Sequence, residues 1–246
     1  MNMYTKPLAV SMVALGLMGA SASSQAAEWE WKVAPYLWAA SVGTDLESDR
    51  FPSASNNASF SDIIDKIDGA FQMHAEGQGE RFGVFGDYTF LGLGDHKDFD
   101  RFTTRSQLDS QLLELAAVWN PADGRYTGVD VFAGLRYIDV DLDVKFEPDD
   151  PVLPTIERDI NDSYADFMIG MRYTWALSDR WALTVRGDGS FGQTEGTWNA
   201  SAVALYRVKY GEWAFGYRYL SVEVETGTTS TDITMSGAAV GFAFTF

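Results

Sequence analysis

The sequence predicts an all-β protein: one antiparallel, transmembrane, up-and-down β-barrel of about ten strands, with eight strands as the alternative. Three observations predict this fold. Ten segments alternate apolar and polar residues with a period of two, the period of a half-buried strand. Short and long connections follow one another along the chain, like the short periplasmic turns and long extracellular loops of outer-membrane barrels. Aromatic residues lie near both ends of the segments, as in the two girdles of such barrels.

The N-terminal segment has the pattern of a secretory signal peptide. Lys6 precedes an apolar stretch at 8–20, and small residues follow it, with Ser24 and Ala26 at the positions of a cleavage signal. The apolar stretch is shorter than the ~20 residues of a membrane-spanning helix. We therefore expect residues 1–26 to be a signal peptide and residues 27–246 to form the outer-membrane barrel domain.

Composition excludes several classes of function. The chain of 246 residues has 35 Asp and Glu against 18 Lys and Arg, a net charge of −17, and no cysteine. A nucleic-acid partner is not expected, because such proteins carry clustered Lys and Arg. The lack of cysteine excludes a disulfide scaffold. Beyond residue 26, no apolar run is long enough for a transmembrane helix.

Two kinds of connection separate the ten predicted strands. The tight connections are 79–81, 120–125, 177–180 and 209–212. The others, mostly longer and rich in Asp, Ser, Thr and Gly, are 43–68, 93–103, 143–159, 193–196 and 224–231. Because ten is even, both ends of the barrel domain should lie on the short-turn, periplasmic side. The predicted strands are 29–42, 69–79, 82–92, 104–119, 126–142, 160–176, 181–192, 197–209, 212–223 and 232–246.

One segment has a helical pattern instead. Residues 61–68 place Ile63, Ile64 and Ile67 on one face, behind a possible cap at Ser61 or Asp62. We expect a short helix there, with its isoleucines covering the mouth of the barrel.

Each predicted strand has one apolar face and one face with charges of both signs. In the segment 126–142, for example, Val131 and Leu135 share the apolar face, and Asp130 and Arg136 share the other. In a soluble sheet the apolar face would turn inward. In a membrane barrel it turns to lipid, and the polar residues line the lumen.

The aromatic residues favour the membrane barrel. One band at the short-turn end contains Trp29, Trp31, Phe82, Trp119, Tyr126, Trp175, Trp181, Tyr206 or Tyr210, Trp213 and Phe246. A second band towards the loops contains Phe71, Phe90, Tyr137, Tyr164, Phe191, Trp198 and Tyr219. Amphipathic rings prefer the two interfaces of a bilayer.

The C-terminal sequence GFAFTF resembles the signal read by the outer-membrane barrel assembly machinery. Gly241, Phe244 and Phe246 match its glycine, its apolar residue and its terminal aromatic residue, whereas Ala239 stands where a polar residue is usual. The segments APYLWAASVGTDL (34–46) and FSDIIDKIDGAF (60–71), the repeated G-x-R-Y and GYRYL (216–220) resemble an uncharacterised family of proteobacterial outer-membrane barrels. The resemblance implies the bacterial cell outer membrane as location. Its lipid, its lipopolysaccharide and the assembly machinery are the implied partners. The resemblance implies no catalytic residue.

The polar faces of the strands supply the candidate site residues. The motif G-x-R-Y occurs at 134–137, 170–173 and 216–219, and on a strand its Gly and Arg both face the lumen. An ion pathway or anion-binding constriction is one interpretation. A packed core of paired charges is favoured, because small barrels have filled interiors and unpaired charges are costly there. The predicted lumen network contains His74, Glu76, Asp87, Glu114, Asp130, Arg136, Asp166, Arg172, Arg186, Asp188 and Arg218.

An enzymatic alternative depends on the loop residues. The stretch GDHKDFD (94–100) places His96 among Asp95, Asp98 and Asp100. The omptin proteases are ten-stranded barrels that use Asp and His at the outer rim, but no second Asp and His pairing is evident in this sequence. We therefore predict no catalytic residue, cofactor or metal site. The acidic stretches 147–150 and 159–166 are expected to attract cations diffusely.

The predicted function is a non-enzymatic structural or surface protein of the outer membrane, or a narrow porin-like channel with a charged, largely filled lumen. The alternative is a surface hydrolase, a protease or a lipid A-modifying enzyme, that uses loop Asp and His residues. The oligomeric state is left open.

Overall fold

A computed structural model describes residues 29–48, 53–99, 102–122, 124–148, 154–226 and 229–246. The predicted signal peptide lies outside these residues. The described residues form eleven strands, one short α-helix and one 3-10 turn. The strands are β1 Glu30–Ser48, β2 Ala54–Ala58, β3 Ile67–Gln78, β4 Phe82–Phe99, β5 Phe102–Trp119, β6 Gly128–Pro148, β7 Ile156–Ala176, β8 Trp181–Gly192, β9 Gly196–Val208, β10 Gly211–Thr226 and β11 Thr229–Thr245. Helix α1 spans Phe60–Ile63, and the 3-10 turn spans Ile64–Lys66. No helix among the described residues is long and apolar enough to cross a membrane.

Ten of the strands form a closed antiparallel barrel. Each strand from β3 to β10 pairs with the next one along the chain, and β1 pairs with both β3 and β11. The eleventh strand, β2, pairs only with the outer part of β1, at Val42–Leu46. The predicted ten-stranded barrel is therefore confirmed, and the eight-stranded alternative is wrong.

The seam between β1 and β11 is formed by the sequence GFAFTF. Phe244 lies opposite Val33, and Gly241 lies opposite Tyr36. The backbone of Trp31 donates to Phe246 O (3.2 Å) and accepts from Phe246 N (2.9 Å). The terminal residue is therefore held in the barrel wall by two backbone hydrogen bonds.

Several strands extend further at the long-connection end than alternation predicts. β6 continues to Pro148 instead of 142, β7 starts at Ile156 instead of 160, and Asp143 still pairs with Asp159. Val144 and Phe146 still alternate there with Asp143, Lys145 and Glu147, but the region 143–159 is rich in acidic residues and is predicted as a connection. The backbone ladder follows the alternation and not the composition.

The predicted faces of the strands are those observed. On β6, Leu135 and Tyr137 are exposed on the outside of the barrel, whereas Asp130 and Arg136 are buried inside it. The terminal strand follows the same rule, with Phe244 outside and Ala243 inside. The outer surface is thus apolar, and the interior carries the charges.

Two of the aromatic residues predicted in the bands, Tyr164 and Tyr126, lie elsewhere. Tyr164 packs inside the barrel against a buried apolar cluster. Tyr126 precedes β6 with a φ of 55°, and its backbone N–H donates to Gln78 Oε1 at 2.7 Å. Its hydroxyl donates to Glu30 O at 2.6 Å. The turn before β6 therefore folds against the short-turn end of the lumen instead of extending the strand.

The helix predicted at 61–68 is present as α1 and the 3-10 turn. The cap is Ser59, whose backbone N–H donates to Asp62 Oδ2 at 3.0 Å, not Ser61 or Asp62. Ile63 is buried, but Ile64 on the 3-10 turn is exposed. Ile63 and Ile67 therefore cover the interior and Ile64 does not, because the helix ends after a single turn.

Candidate functional site

Four arginines and five acids lie inside the barrel at mid-height. Arg136, Arg172, Arg186 and Arg218 come from four different strands, β6, β7, β8 and β10. Their side chains point into the barrel, because alternate residues of a strand face the same side and each arginine is on the side that faces the lumen. Their carboxylate partners are Glu76, Asp87, Glu114, Asp130 and Asp188.

Glu114 is the centre of this arrangement. Its Oε1 accepts from Arg136 Nη2 at 2.7 Å and from Arg218 Nη2 at 3.2 Å. Its Oε2 accepts from Arg186 Nη2 at 2.8 Å. The Glu114 and Arg136 side chains have no exposed surface. One carboxylate thus joins three strands that lie around the lumen.

Asp188 of β8 contacts two of the same arginines. Its Oδ1 accepts a hydrogen bond from Arg136 Nη2, and its Oδ2 accepts one from Arg186 Nε at 2.7 Å. Asn199 Nδ2 donates to Asp188 Oδ2 at 2.7 Å, and Asn199 Oδ1 accepts from Arg218 Nε at 2.9 Å. Each oxygen of Asp188 therefore faces a donor.

A second branch extends towards the short-turn end. Arg172 binds Glu76 through both terminal nitrogens and donates from Nε to Asp130 Oδ2 at 2.8 Å. His74 lies between two carboxylates, with Nδ1 3.1 Å from Asp87 and Nε2 3.3 Å from Glu76. The imidazole therefore joins the Glu76 branch to Asp87 and, through it, to Arg218.

Asp166 is attached at the other end of the network. It accepts from the backbone N–H groups of Gln193 (2.8 Å) and Thr194 (3.1 Å), and from Ser190 Oγ (3.2 Å). Ser190 in turn accepts from Arg136 Nη1 at 3.2 Å. All eleven residues of the predicted lumen network thus lie in one connected set of contacts, here called the ion network.

Uncharged residues complete the ion network, and sequence reasoning missed them. Tyr36 donates its hydroxyl to Asp87 at 2.8 Å, Gln78 donates to Glu76 at 2.8 Å, and Asn120 donates to Asp130 at 2.9 Å. Amides and hydroxyls of this kind occur on the polar face of many strands, so they carry no specific signal. Lys32 and Glu212 form a further buried ion pair that was also missed.

Aromatic rings pack against the ion network. The guanidinium of Arg186 lies 4.9 Å from the centroid of Phe132 and 5.1 Å from that of Phe85. Gly170 provides the space, because a Cβ there would lie 2.5 Å from Phe132 Cζ and 2.4 Å from Asp188 Cβ. The glycine of this G-x-R-Y motif therefore admits a ring and a carboxylate, and not the arginine that follows it.

The ion network divides the interior into two cavities. The cavity at the short-turn end has a volume of about 240 Å³ and is bounded by Lys32, Tyr126 and Glu212 as well as by the network. The outer cavity, of about 520 Å³, lies beneath Ile63 and is lined mainly by apolar side chains. The paired charges and the rings of the ion network lie between them.

Three acids outside the barrel body could hold a cation. Oxygens of Asp141, Asp143 and Asp159 lie within 4.8 Å of one another at the outer ends of β6 and β7. The sequence did not single them out, although Asp159 begins the acidic stretch at 159–166. The pKa of Asp143 is raised above its usual value, first by its limited burial and second by repulsion from the nearby carboxylates.

A pH dependence of the β6–β7 hairpin follows from Asp143. Because its pKa is raised by folding, its contribution to stability is present below the ordinary carboxyl pKa and is lost as pH rises through the folded value. We expect the hydrogen-exchange protection factors, which are corrected for the intrinsic pH dependence of amide exchange, to be lower in the outer half of this hairpin at neutral pH than under mildly acidic conditions. Asp143→Asn should weaken that pH dependence, whereas protection factors that do not change with pH would contradict it.

The histidine of the enzymatic alternative lies on β4, not in a loop. His96 is exposed and pairs in the ladder with Arg105 of β5. Asp95 forms ion pairs with Lys66 and Lys97. Asp100 lies outside the described residues. The strand extension places these residues there because β4 and β5 remain paired up to Phe99 and Phe102.

Comparison with known proteins identifies the fold. No family model and no curated protein matches the chain. Among solved structures, the outer membrane protease OmpT from Escherichia coli aligns with a TM-score of 0.53 and 8% identity, over 92% of this chain and 99% of that one. Ail of Yersinia pestis aligns at 0.41 with 10% identity (88% and 99%), and CarO of Acinetobacter baumannii at 0.32 with 10% identity (85% and 98%). The protein therefore has the barrel fold of bacterial outer-membrane proteins.

Proposed function

We propose that the protein is an integral outer-membrane barrel with a closed lumen and a structural or surface role, not an open pore. The observation that carries the proposal is the inverted distribution of polarity. Side chains such as Leu135, Met171 and Phe215 are exposed on the outer wall, whereas Glu114 and Arg136 are completely buried. A soluble protein rarely exposes so large an apolar surface. In lipid, that surface is satisfied and the charges are sheltered inside.

Aromatic residues support this position in a bilayer. Trp31, Trp119 and Trp181 lie exposed near the short-turn end, and Tyr137 and Tyr219 lie exposed further out. Rings of this kind mark the two interfaces of a membrane barrel. The fold shared with the outer membrane protease OmpT agrees with the same location. Lipid and lipopolysaccharide are then its surroundings.

Assembly in that membrane is proposed to use the C-terminal strand. Gly241, Phe244 and Phe246 would be recognised by the barrel assembly machinery before the seam with β1 forms. Both ends of the barrel domain then lie on the periplasmic side, where the short turns are.

A planar bilayer tests the closed lumen. We expect the reconstituted protein to produce no ohmic conductance steps, because the ion network places paired charges and aromatic rings across the lumen. Insertion should be verified independently by resistance of the folded barrel to sodium dodecyl sulfate without heating. Reproducible steps with ion selectivity would replace this proposal by the narrow channel. Hydrolysis of peptide or lipid A that is lost in His96→Ala would replace it by the surface hydrolase.

A further inference from the structure

The barrel wall is interrupted between β1 and β3. The two strands pair from Glu30↔Gln78 to Pro35↔Met73, and β1 gains its next partner on that side, β2, at Val42. In this described region, Tyr36–Ser41 of β1 and Gly69–Gln72 of β3 have no ladder pairing with each other. We call this interruption the lateral gap. Pro35 lies at its edge and has no N–H to donate to a ladder.

The contacts at the lateral gap are made by side chains and by the helical segment. Trp38 N donates to the side-chain oxygen of Gln72 at 2.5 Å, where an intact ladder would supply a backbone carbonyl. Further out, Phe60 N donates to Ser41 Oγ at 3.0 Å, and Lys66 pairs with Asp95 at 2.9 Å. Helix α1 and the 3-10 turn therefore bound the lateral gap on its outer side, and the paired part of β1 and β3 bounds it on the other.

The 520 Å³ outer cavity is lined by residues from both faces of this wall. Leu37 and Val240 face outward, and Trp38, Ile63 and Met235 face inward. Its volume lies within the range of about 300–1,000 Å³ that is usual for small-molecule sites. The outer cavity borders the lateral gap, because Trp38 and Gln72, whose hydrogen bond crosses the gap, both line it. An apolar molecule could thus enter it without passing the ion network.

One residue that lines the outer cavity carries a polar group without a partner. Trp38 is 6% exposed, and its indole Nε1 is a buried donor without an acceptor among the described residues. Buried indole N–H groups usually find an acceptor, and leaving one unpaired costs about 1–3 kcal/mol. The outer cavity therefore has a mainly apolar lining, and one of its lining residues carries a buried donor that has no acceptor among the described residues.

We propose that the outer cavity binds an acyl chain, which enters through the lateral gap and accepts a hydrogen bond from Trp38 Nε1 through an ester or carboxyl oxygen. The lateral gap lies on the wall between the two aromatic bands, since Ala39 lies level with Ala238 and Tyr217 in the ladders. It would therefore face hydrocarbon. This inference rests on the proposed membrane location, and it adds a ligand and a route of entry.

Tryptophan fluorescence tests the membrane location and the acyl-chain site separately. The chain has eight tryptophans, and the seven others are exposed on the outside. In vesicles of phosphatidylcholine with brominated acyl chains, the outer tryptophans should be quenched because they contact lipid. The Trp38 contribution, obtained by subtracting the signal of Trp38→Phe, should also be quenched. Quenching of neither group would refute the membrane location; quenching of the outer group alone would refute the acyl site.

Two variants distinguish entry through the lateral gap from quenching across the wall. Ala70→Phe enlarges an exposed residue that lines the outer cavity, and Ala200→Phe makes the same change at an exposed alanine of β9. Only Ala70→Phe should remove the quenching of Trp38, and the outer tryptophans should respond equally in both. Trp38 quenching that persists in Ala70→Phe would overturn the proposal.

The source of the acyl chain is resolved by a second preparation. The protein in detergent micelles is titrated with a brominated fatty acid and, in parallel, with the brominated phospholipid. Quenching of Trp38 by the fatty acid alone assigns a free acid, and quenching by the phospholipid alone assigns a membrane lipid. Quenching by neither, in micelles and in vesicles, overturns the acyl site.

Discussion

Replacing Glu114 with alanine should destabilise the barrel by about 3–5 kcal/mol, the usual cost of removing one partner from a buried ion pair. Its carboxylate accepts hydrogen bonds from Arg136, Arg186 and Arg218, and it has no exposed surface. Without it, three guanidinium groups remain inside the barrel with less compensating charge. The measurement is the urea dependence of unfolding in phosphatidylcholine vesicles.

Two controls make the Glu114 experiment specific. Glu80→Ala removes an exposed acid from the β3–β4 turn and should change the unfolding free energy by less than about 0.5 kcal/mol. The double variant Glu114→Leu with Arg136→Met should recover part of the loss, because apolar groups of similar volume can replace a buried ion pair. A Glu114→Ala variant as stable as Glu80→Ala would contradict the central role of this carboxylate.

Gly170→Ala should destabilise the barrel by about 1–3 kcal/mol, the range for overpacking a filled interior. The added Cβ would lie 2.4 Å from Asp188 Cβ, 2.5 Å from Phe132 Cζ and 2.8 Å from Gly187 O. The carbonyl belongs to the neighbouring strand and cannot rotate away. The ring and the carboxylate would have to move, which would disturb the contact of Phe132 with Arg186.

A matched glycine lies on the neighbouring strand. A Cβ at Gly187 would meet no atom within 4 Å, so Gly187→Ala should leave the unfolding free energy nearly unchanged. The urea transitions of the two variants are compared in the same vesicles. Equal stability of Gly170→Ala and Gly187→Ala would mean that the interior at Gly170 is loosely packed.

Part of the ion network is visible in strand order alone. Once strands are known to pair with their neighbours along the chain, Glu114 must lie close to Arg136 of the next strand. The same reasoning brings Asp130 close to Arg172. These contacts depend only on local register, and register follows from alternation together with turn length.

The ends of the strands are not predicted correctly from the sequence pattern. The predicted strand 126–142 begins instead at Gly128, because Tyr126 adopts a positive φ and turns towards Gln78. At the other end the same strand reaches Pro148. The start of the strand leaves no trace in the apolar pattern, since it depends on a distant acceptor. The extension does leave one, because Val144 and Phe146 continue the alternation within a stretch whose acidic composition favours a connection.

The sequence by itself determined the class of fold, the number of strands in the barrel, the inward and outward faces and most of the buried charges, although not the pair Lys32 and Glu212. Each of these follows from local alternation and connection length, which act over a few residues. The tertiary structure alone decided that Glu114 meets Arg186 and Arg218, that Glu76 meets Arg172, and that β1 parts from β3 beyond Pro35. The contacts of Glu114 and Glu76 join strands that are not neighbours in the sheet. The lateral gap arises because two neighbouring strands, β1 and β3, diverge. Closure of the barrel sets the distances across its interior, and no local pattern encodes them.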